Sequence, residues 1–273
     1  MSEVSAKIIC DSTNAFQTRL TTIQIRVPKF LLQEINTHRV FSRSFNSARA
    51  VPAKTLRLSA NFQPDEWLSN KPGMVGGAEL TGLKKIGAIA VWNSLTATVK
   101  FGHWLLELCG LHKQYTNRWL EPIVYADGVI TSTDWINFLN LRNHPASQPE
   151  IRELASQIDQ LLRASESNYL LAGQWHLPYI DADDHASDYS IEQLRMISAG
   201  RCARVSYGFK DGKDSAADLK RAERLLADEI KHFSPFEHLA LAPVARDKDH
   251  TNFKSGNLRN WIQYRKIIEM QGK

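Results

Sequence analysis

Near its start, this chain alternates apolar and polar residues and then changes to helical spacing. Residues 20–27 carry apolar side chains mostly at every second position, which predicts a strand that ends at Pro28. Pro28 then opens a short helix that reaches about residue 35, because proline is tolerated in a first helical turn. Residues 42–52 are rich in Ser, Asn and Arg, and we interpret them as an irregular loop or a broken helix.

Farther along, apolar residues recur every three or four positions. This spacing predicts helices over residues 79–113, 133–141, 149–171, 190–203 and 215–232, the last two flanking a turn at Asp211-Gly212. Residues 236–244 predict a further strand, and helical spacing returns between residues 261 and 268. Strands do not alternate regularly with helices, so the pattern predicts an α+β protein and disfavours a doubly wound parallel sheet.

Composition places the chain among proteins with a packed core. Of its 273 residues, 43% are hydrophobic and 23% charged, which excludes disorder by composition. The longest apolar run, residues 86–92, is too short to cross a bilayer. Three widely separated cysteines indicate a reducing cytoplasm rather than a disulfide framework, and we interpret Cys202 as a small core residue. The histidines have no convincing ligand spacing, so we expect no metal site.

Positive charge is concentrated in one segment. The net charge is 34 − 29 = +5, and no acidic residue occurs between Ile35 and Pro64. This stretch contains five cations: Arg39, Arg43, Arg49, Lys54 and Arg57. This stretch predicts a positive potential suited to an anionic ligand or to nucleic acid, unless acidic partners reach it from elsewhere in the fold. The chain has neither of the two best-known glycine-rich phosphate loops, so arginines and helix termini must bind any phosphate.

The segment from Thr37 to Arg49, THRVFSRSFNSAR, resembles the signature of the flavin-dependent thymidylate synthases (ThyX). The matching positions are His38, Arg39, Ser42, Ser47 and Arg49. Two further parts of the chain resemble this family: the segment 137–142, NFLNLR, and the pair of blocks ARVS, 203–206, and HFSPFEH, 232–238. In the family the last two blocks precede the signature, so their order here resembles a circular permutation, which a fold tolerates when its termini lie close together.

The resemblance implies a fold with a small, mostly antiparallel sheet and long helices. It covers most of residues 20–244, and we expect one catalytic domain over residues 1–273, with a C-terminal tail from about residue 245 that the family pattern does not explain. The family also implies a homo-oligomer, a homotetramer, with sites built between subunits.

Site residues follow from the resemblance position by position. The implied flavin-binding residues are His38, Arg39, Val40, Ser44, Asn137, Ser206, His232, Ser234 and Glu237. The implied nucleotide-binding residues are Glu34, Ser47, Ala48, Arg49, Arg118 and Arg142. Arg142 is also the implied catalytic residue, since a fixed cation at the pyrimidine edge stabilises negative charge that develops on the ring.

The implied reaction is the reductive methylation of dUMP to dTMP. Methylenetetrahydrofolate donates the carbon, NADPH reduces FAD, and the flavin supplies the hydride, so no cysteine nucleophile is required. Several residues depart from the family pattern, among them Thr37, Ala50, Glu34, Ser44 and Phe45, and the last three bear on the substrate. They leave open an alternative in which the same cofactors modify C5 of another pyrimidine nucleotide, such as dCMP, or form a hydroxymethyl product.

A nucleic-acid-binding module is a second alternative. It would use the basic stretch from residue 39 to residue 57 together with the cations of the tail. Those tail cations are Lys254, Arg259, Arg265 and Lys266. We interpret Trp104, Trp119, Trp135 and Trp175 as core residues rather than as a surface for stacking bases.

Overall fold

Eight strands form two sheets in a computed structural model, which describes residues 3–205, 214–227, 229, 231–244 and 254–271. The main sheet contains β1 Ser5–Thr13, β2 Arg19–Pro28, β3 Ser42–Phe45, β4 Tyr125–Ser132 and β5 Asn168–Tyr169, in the spatial order β3-β4-β2-β1-β5. Only the pairing of β1 with β5 is parallel. The second, antiparallel sheet has the order β6-β7-β8, with β6 Trp175–His176, β7 Ala240–Leu241 and β8 Ile262–Gln263.

Helices connect and cover these strands. They are α1 Leu32–Asn36, α2 Ala53–Ser59, α3 Gly82–Leu108, α4 Lys113–Thr116, α5 Ile136–Arg142, α6 Pro149–Ala164, α7 Ala182–Ala186, α8 Ile191–Arg204, α9 Ser215–Ala227 and α10 Tyr264–Gln271. Short 3₁₀ helices occupy Lys29–Leu31, Asn117–Ile123 and Ser234–His238. The predicted α+β class and the small, mostly antiparallel sheet are confirmed.

The main sheet has one apolar face. Ile23 on β2 lies opposite Ile130 on β4, and both are fully buried. They pack in one cluster with apolar residues of α1, α5 and α6, including Ile35, Phe138 and Ile158. Because side chains alternate between the faces of a strand, the neighbouring residue Thr22 points to the other side of the sheet.

On that second face, six buried side chains form a continuous hydrogen-bonded line that we call the polar row. Ser44 Oγ lies 3.0 Å from His238 Nε2, and His238 Nδ1 lies 2.9 Å from Thr131 Oγ1. Thr131 Oγ1 is 2.7 Å from Thr22 Oγ1, which is 2.8 Å from His176 Nε2. His176 Nδ1 is 2.9 Å from Ser12 Oγ. The row crosses β3, β4, β2 and β1, and both of its histidines come from the part of the chain after residue 165.

The same face also buries apolar residues of the C-terminal part. Leu20 packs with Ala240, Ala242, Leu258 and Trp261 in a separate cluster. Leu258 is fully buried and Trp261 almost fully buried. Residues 254–271 are therefore packed against the sheet. The predicted start of the C-terminal tail near residue 245 falls in residues 245–253, outside the described residues, and the single domain with its tail stays a prediction.

Several local predictions were wrong. Residues 42–45, predicted as a loop or broken helix, form β3, because Ser42 and Ser44 are buried on the polar face by pairing with β4. Of residues 236–244, predicted as a strand, residues 236–238 belong to a 3₁₀ helix and only Ala240–Leu241 form a strand, β7. The strand β1 was not predicted at all.

Two of the predicted core tryptophans are also exposed. Trp104 and Trp119 retain 42% and 64% of their accessible surface, whereas Trp135 is buried as predicted. Periodicity shows which face of a helix is apolar, and nothing in the local sequence shows whether another element covers it. The buried position of Cys202 is confirmed. The Asp211-Gly212 turn lies outside the described residues.

Candidate functional site

His38 sits where α1 ends and the chain turns towards β3. Its side chain is buried between two aromatic rings: the Phe41 ring is stacked at 5.6 Å and the Phe138 ring meets it edge-on at 5.1 Å. Phe138 belongs to α5, so this contact brings the helix with the NFLNLR segment against the signature loop. The imidazole therefore has a fixed place between two segments that are 100 residues apart in the sequence.

Arg142, at the end of α5, joins His38 and Glu34. Its Nε donates to His38 Nε2 at 3.4 Å, and its Nη1 donates to a Glu34 carboxylate oxygen at 2.8 Å. Because Nε2 accepts this bond, His38 is neutral with its proton on Nδ1. Burial lowers the pKa of His38, and the guanidinium groups of Arg142 and Arg43 lower it further. Three residues predicted to bind flavin or nucleotide thus form one constellation.

This constellation can present a cation to a ligand. The Arg142 side chain is 20% exposed. Within the described ranges its Nη2 donates no hydrogen bond, so it is free for a carbonyl or phosphate oxygen. Glu34 holds the guanidinium by an ion pair, and His38 holds it without adding a second positive charge. Arg142 is therefore preorganised, which is what stabilisation of developing negative charge requires.

The segment Ser47–Arg49 is held in place by the buried side chain of Asn117. The Asn117 side-chain amide donates to the carbonyl oxygens of Ala48, at 2.7 Å, and Val51, at 3.2 Å. Arg49 is exposed, and its guanidinium has no partner among the described residues. Arg118 follows Asn117 directly and makes an exposed ion pair with Glu121 at 2.8 Å. Asn117 was not predicted from the sequence, although it precedes the predicted Arg118.

One buried acceptor in the signature loop also lacks a partner. Asn46 Oδ1 is buried and accepts no hydrogen bond from the described residues. A buried polar atom without a partner is costly, so Asn46 Oδ1 is a candidate acceptor for a ligand. An N–H group of a bound base or flavin ring would satisfy it. With the free cations of Arg39 and Arg49 nearby in sequence, the donor and acceptor set fits a phosphate-bearing ring compound such as a nucleotide or a flavin.

A cavity of about 430 Å³ opens beside Arg39. Its lining residues are Arg39, Phe41, Arg43, Glu237, Gly256, Asn257, Gln263, Arg265 and Lys266. The predicted flavin-binding residues Arg39 and Glu237 are thus brought together at one cavity. The residues from 256 onward were missed as site residues, and the only signal was the cluster of tail cations that the nucleic-acid alternative uses.

The other predicted residues are more scattered. Ser44 is buried in the polar row, and Val40 is 38% exposed, with its carbonyl accepting from Asn257 at 3.2 Å. Asn137, His232 and Ser234 are exposed, and within the described ranges no hydrogen bond joins them to His38 or Arg142. Ser206 lies outside the described residues.

Acidic partners reach part of the basic stretch from elsewhere in the fold. Arg57 pairs with Glu107 on α3. Arg43 has neutral partners instead, since its Nη1 donates to the carbonyl oxygen of Phe41 at 3.0 Å. Arg39 and Arg49 keep their charges unpaired among the residues that the structure describes. The described helices include none that is long and apolar enough to cross a membrane. No group of three or more potential metal ligands occurs in the same residues.

Comparison with known proteins adds a family and a fold. Residues 11–165 match the model of the family described as thymidylate synthase complementing protein. A UMP/dUMP methylase, PolB from Streptomyces cacaoi, bound with 5-Br UMP, matches at a TM-score of 0.51 with 16% identity, covering 59% of this chain and 89% of that chain. Flavin-dependent thymidylate synthase ThyX from Helicobacter pylori, complexed with FAD and dUMP, matches at a TM-score of 0.35 with 18% identity. This match covers 52% of this chain and 67% of that chain. No curated protein matches the chain.

The family match ends before the ARVS and HFSPFEH blocks. Residues 166–273 contain both blocks, and the match gives no order for them relative to the signature. The circularly permuted order therefore stays a prediction.

Proposed function

Because the family match spans more than half of the chain, the chain belongs to the thymidylate synthase complementing protein family, and we propose that it methylates C5 of a uridine nucleotide, most simply dUMP to dTMP. In this reaction the C5 hydrogen leaves as a proton and C5 bonds to the methylene carbon of methylenetetrahydrofolate. The bond between that carbon and the folate nitrogen then breaks, which releases tetrahydrofolate, and the carbon receives a hydride to become the methyl group.

The observation that carries this proposal is the constellation of Arg142, His38 and Glu34. Methylation at C5 requires negative charge to develop on the pyrimidine ring, and a fixed, half-buried guanidinium stabilises such charge more than a mobile surface cation does. Neutral His38 keeps Arg142 aligned without repelling it. We expect the free Nη2 of Arg142 to meet a ring carbonyl oxygen, and the unpaired Arg49 to meet the phosphate.

Bound FAD would supply the hydride, with NADPH as the source of electrons. We propose that the flavin is held by Arg39 and Glu237, which line the cavity, and by His38, which precedes Arg39 in the sequence. Ser47 and the anchored Ala48 backbone position Arg49, and Arg118 lies next to the residue that anchors this loop.

Packing explains Phe45, one of the departures from the family pattern. Phe45 on β3 lies opposite Gly128 on β4, and a Cβ atom at residue 128 would stand 2.1 Å from the Phe45 ring. The ring therefore fills the space over the glycine on the apolar face of the sheet. This packing role removes Phe45 as a reason to expect a base other than uracil.

An exposed helix face supports the proposal of a homo-oligomer. On α3, Trp92, Val99 and His103 share the face that packs against the rest of the molecule, and the opposite face carries uncharged residues. Its large apolar members are exposed: Leu83, Ile86, Phe101, Leu105 and Leu108. This strip is about 38 Å long at a rise of 1.5 Å per residue. Exposed apolar patches of such length mark interaction surfaces, and a second copy of α3 offers an equally uncharged strip. We propose a tetramer for the intact enzyme.

The experiment that tests the proposed function is product analysis of the full-length protein. It is incubated with FAD, NADPH and methylenetetrahydrofolate, and separately with dUMP, UMP or dCMP, and the nucleotides are weighed by mass spectrometry. We expect methylated product from dUMP. Arg142→Lys keeps the charge but loses the paired contacts, and we expect it to lower turnover more than nucleotide affinity. Protein that cannot be loaded with FAD, or a product formed from dCMP alone, contradicts the proposal.

A further inference from the structure

The cavity beside Arg39 has two walls of different origin. One wall, residues 39–43, belongs to the part of the chain that matches the family. The other, which we call the C-terminal wall, consists of Gly256, Asn257, Gln263, Arg265 and Lys266, about 90 residues beyond the end of the match. The C-terminal wall therefore has no role that the family match assigns.

Hydrogen bonds hold the C-terminal wall in place. Gln263 is 2% exposed, and its Nε2 donates to Ser42 Oγ at 3.0 Å and to the Glu237 carbonyl oxygen at 3.0 Å. Asn257 Nδ2 donates to the Val40 carbonyl oxygen at 3.2 Å. Gly256 has φ +57, and a Cβ atom there would stand 2.1 Å from Gln263 Oε1. The wall is thus built into the signature loop.

The charges around the cavity are mostly positive. The lining cations are Arg39, Arg43, Arg265 and Lys266, and Glu237 is the lining carboxylate. Arg265 pairs with Glu237 and donates to Glu269 at 2.6 Å, and Lys266 donates to Glu269 at 2.8 Å. Four cations against these two carboxylates leave 4 − 2 = +2. Because Arg265 neutralises Glu237, this carboxylate does not repel an anion.

We propose that this cavity binds the diphosphate group of a dinucleotide, and that Arg265 and Lys266 are ligand-binding residues. The proposal rests on the proposed function, which requires FAD and NADPH. A diphosphate diester carries two negative charges, which match the excess of +2. The guanidinium groups of Arg39 and Arg265 suit its oxygens, because a guanidinium can donate two parallel hydrogen bonds and Arg265 Nη2 donates none within the described ranges. Arg39, which has no partner among the described residues, and Lys266, which has spare donors, face the ligand first.

The test compares ligands with and without a diphosphate. Isothermal titration of the full-length protein measures the binding of inorganic pyrophosphate, FAD, NADPH and riboflavin. Lys266→Gln removes one charge and leaves the pair of Arg265 with Glu269 intact, and Arg265→Gln is the second variant. Arg163→Gln is the matched control, since Arg163 lies on α6 with a 78% exposed side chain in a similar ion pair with Asp159.

We expect Lys266→Gln and Arg265→Gln each to weaken pyrophosphate and FAD by roughly tenfold, as the loss of one charge-assisted contact does. Riboflavin, which lacks the diphosphate, should bind the variants as it binds the parent protein, and Arg163→Gln should bind all four ligands normally. If the two variants bind NADPH more weakly but bind FAD normally, the proposed diphosphate site is supported, and NADPH is the dinucleotide that occupies it.

Two results overturn the proposal. One is the absence of pyrophosphate binding to the parent protein, and the other is normal pyrophosphate and dinucleotide affinity in both variants, with unfolding temperatures equal to the parent's. The outcome for the proposed function is separate. If the parent protein binds pyrophosphate through Lys266 but binds no flavin in any form, the diphosphate cavity stands and the flavin-dependent function fails.

Discussion

Two polar regions of this protein are built in opposite ways. In the polar row every hydroxyl and imidazole nitrogen that crosses the sheet has a partner within the chain, and all six residues are buried. In the signature loop, Arg39 and Arg49 are exposed without partners in the described ranges, and Asn46 Oδ1 is buried without one. Both regions are rich in the residue types that carry out chemistry. The difference in pairing supports our proposal that the loop binds a ligand, whereas the paired row holds the fold together.

The polar row also explains how the two parts of the chain become one body. His176 and His238 come from beyond the family match, and their partners Thr22 and Thr131 lie within it. A buried polar group must be paired, so this line of hydrogen bonds fixes how the C-terminal part is placed on the sheet. That placement in turn brings the C-terminal wall to the signature loop.

The largest effect that we expect from this comparison is loss of stability in mild acid. Burial lowers the pKa of His176 and of His238 to about 3. In the unfolded chain a histidine takes up a proton near pH 6.5, so below that pH the unfolded state binds protons that the native state does not. The free energy of unfolding should fall by about 1.4 kcal/mol for each pH unit and each of these histidines, and more slowly for His38.

Urea unfolding at several values between pH 7 and pH 5 measures this fall. Carboxylates with a lowered pKa, such as Asp11, contribute only at lower pH. His238→Gln removes one of the two titrating histidines, so it should make the free energy of unfolding depend less on pH, by about 1.4 kcal/mol for each pH unit. A free energy of unfolding that does not change across this range would show that the row is not made of neutral histidines.

Arg49→Ala tests the binding side of the comparison. We expect it to weaken the complex with dUMP by about 1.5–3 kcal/mol, the value of a lost charge-assisted contact, and to leave the free energy of unfolding unchanged, because Arg49 has no described partner to lose. Titration calorimetry and urea unfolding measure the two quantities. Arg163→Ala on α6 is the control, and unchanged affinity in Arg49→Ala would contradict the assignment.

Gly128→Ala tests the apolar face. A Cβ atom would collide with the Phe45 ring, and we expect a loss of about 1–3 kcal/mol in the free energy of unfolding as β3 is displaced. Gly102→Ala is the matched control, since Gly102 lies inside α3, about 100° around the helix from Phe101, with no atom within 4 Å of its added Cβ. There alanine should be neutral or stabilising, because it is the better helix former. Equal effects of both substitutions would contradict the packing of Phe45 over Gly128.

Substitutions at two adjacent residues of β2 give the closest comparison of the two faces of the sheet, and we expect them to have the smallest effects on the free energy of unfolding. Thr22→Val keeps the side-chain shape but leaves Thr131 and His176 each without one partner, which should cost about 1–3 kcal/mol. Ile23→Val removes one methylene from the apolar face and should cost about 0.5–1.5 kcal/mol. Thermal or urea unfolding of both variants gives the comparison, and a smaller loss for Thr22→Val than for Ile23→Val would show that the row contributes little.

The sequence predicted the features that depend on local spacing. The strand ending at Pro28, the helix that contains Phe101 and Leu105, and the helix that begins at Pro149 are present because a period of two or 3.6 is visible within a few turns. The resemblance of the segments 37–49 and 137–142 to family blocks, together with a family position near them, named His38, Arg142 and Glu34 as site residues, and these three residues are in contact.

Features that depend on distant parts of the chain could not be predicted. The strand β3 is polar in sequence and forms because β4, more than 80 residues away, pairs with it. Gln263 and Arg265 carry no motif, and only the folded chain brings them to Ser42 and Glu237. The exposed Trp119 shows the same limit, because an apolar side chain does not show whether anything covers it.

The release of hydrogen from C5 of dUMP tests most directly whether this protein methylates that carbon. Full-length protein is given dUMP labelled with tritium at C5, together with FAD, NADPH and methylenetetrahydrofolate, and the tritium that appears in water is counted alongside the nucleotide product. Methylation at C5 must replace that hydrogen, so we expect tritium in water together with dTMP, and much less of both from Arg142→Lys. Protein that binds FAD and dUMP but keeps all the tritium on the nucleotide would contradict the account.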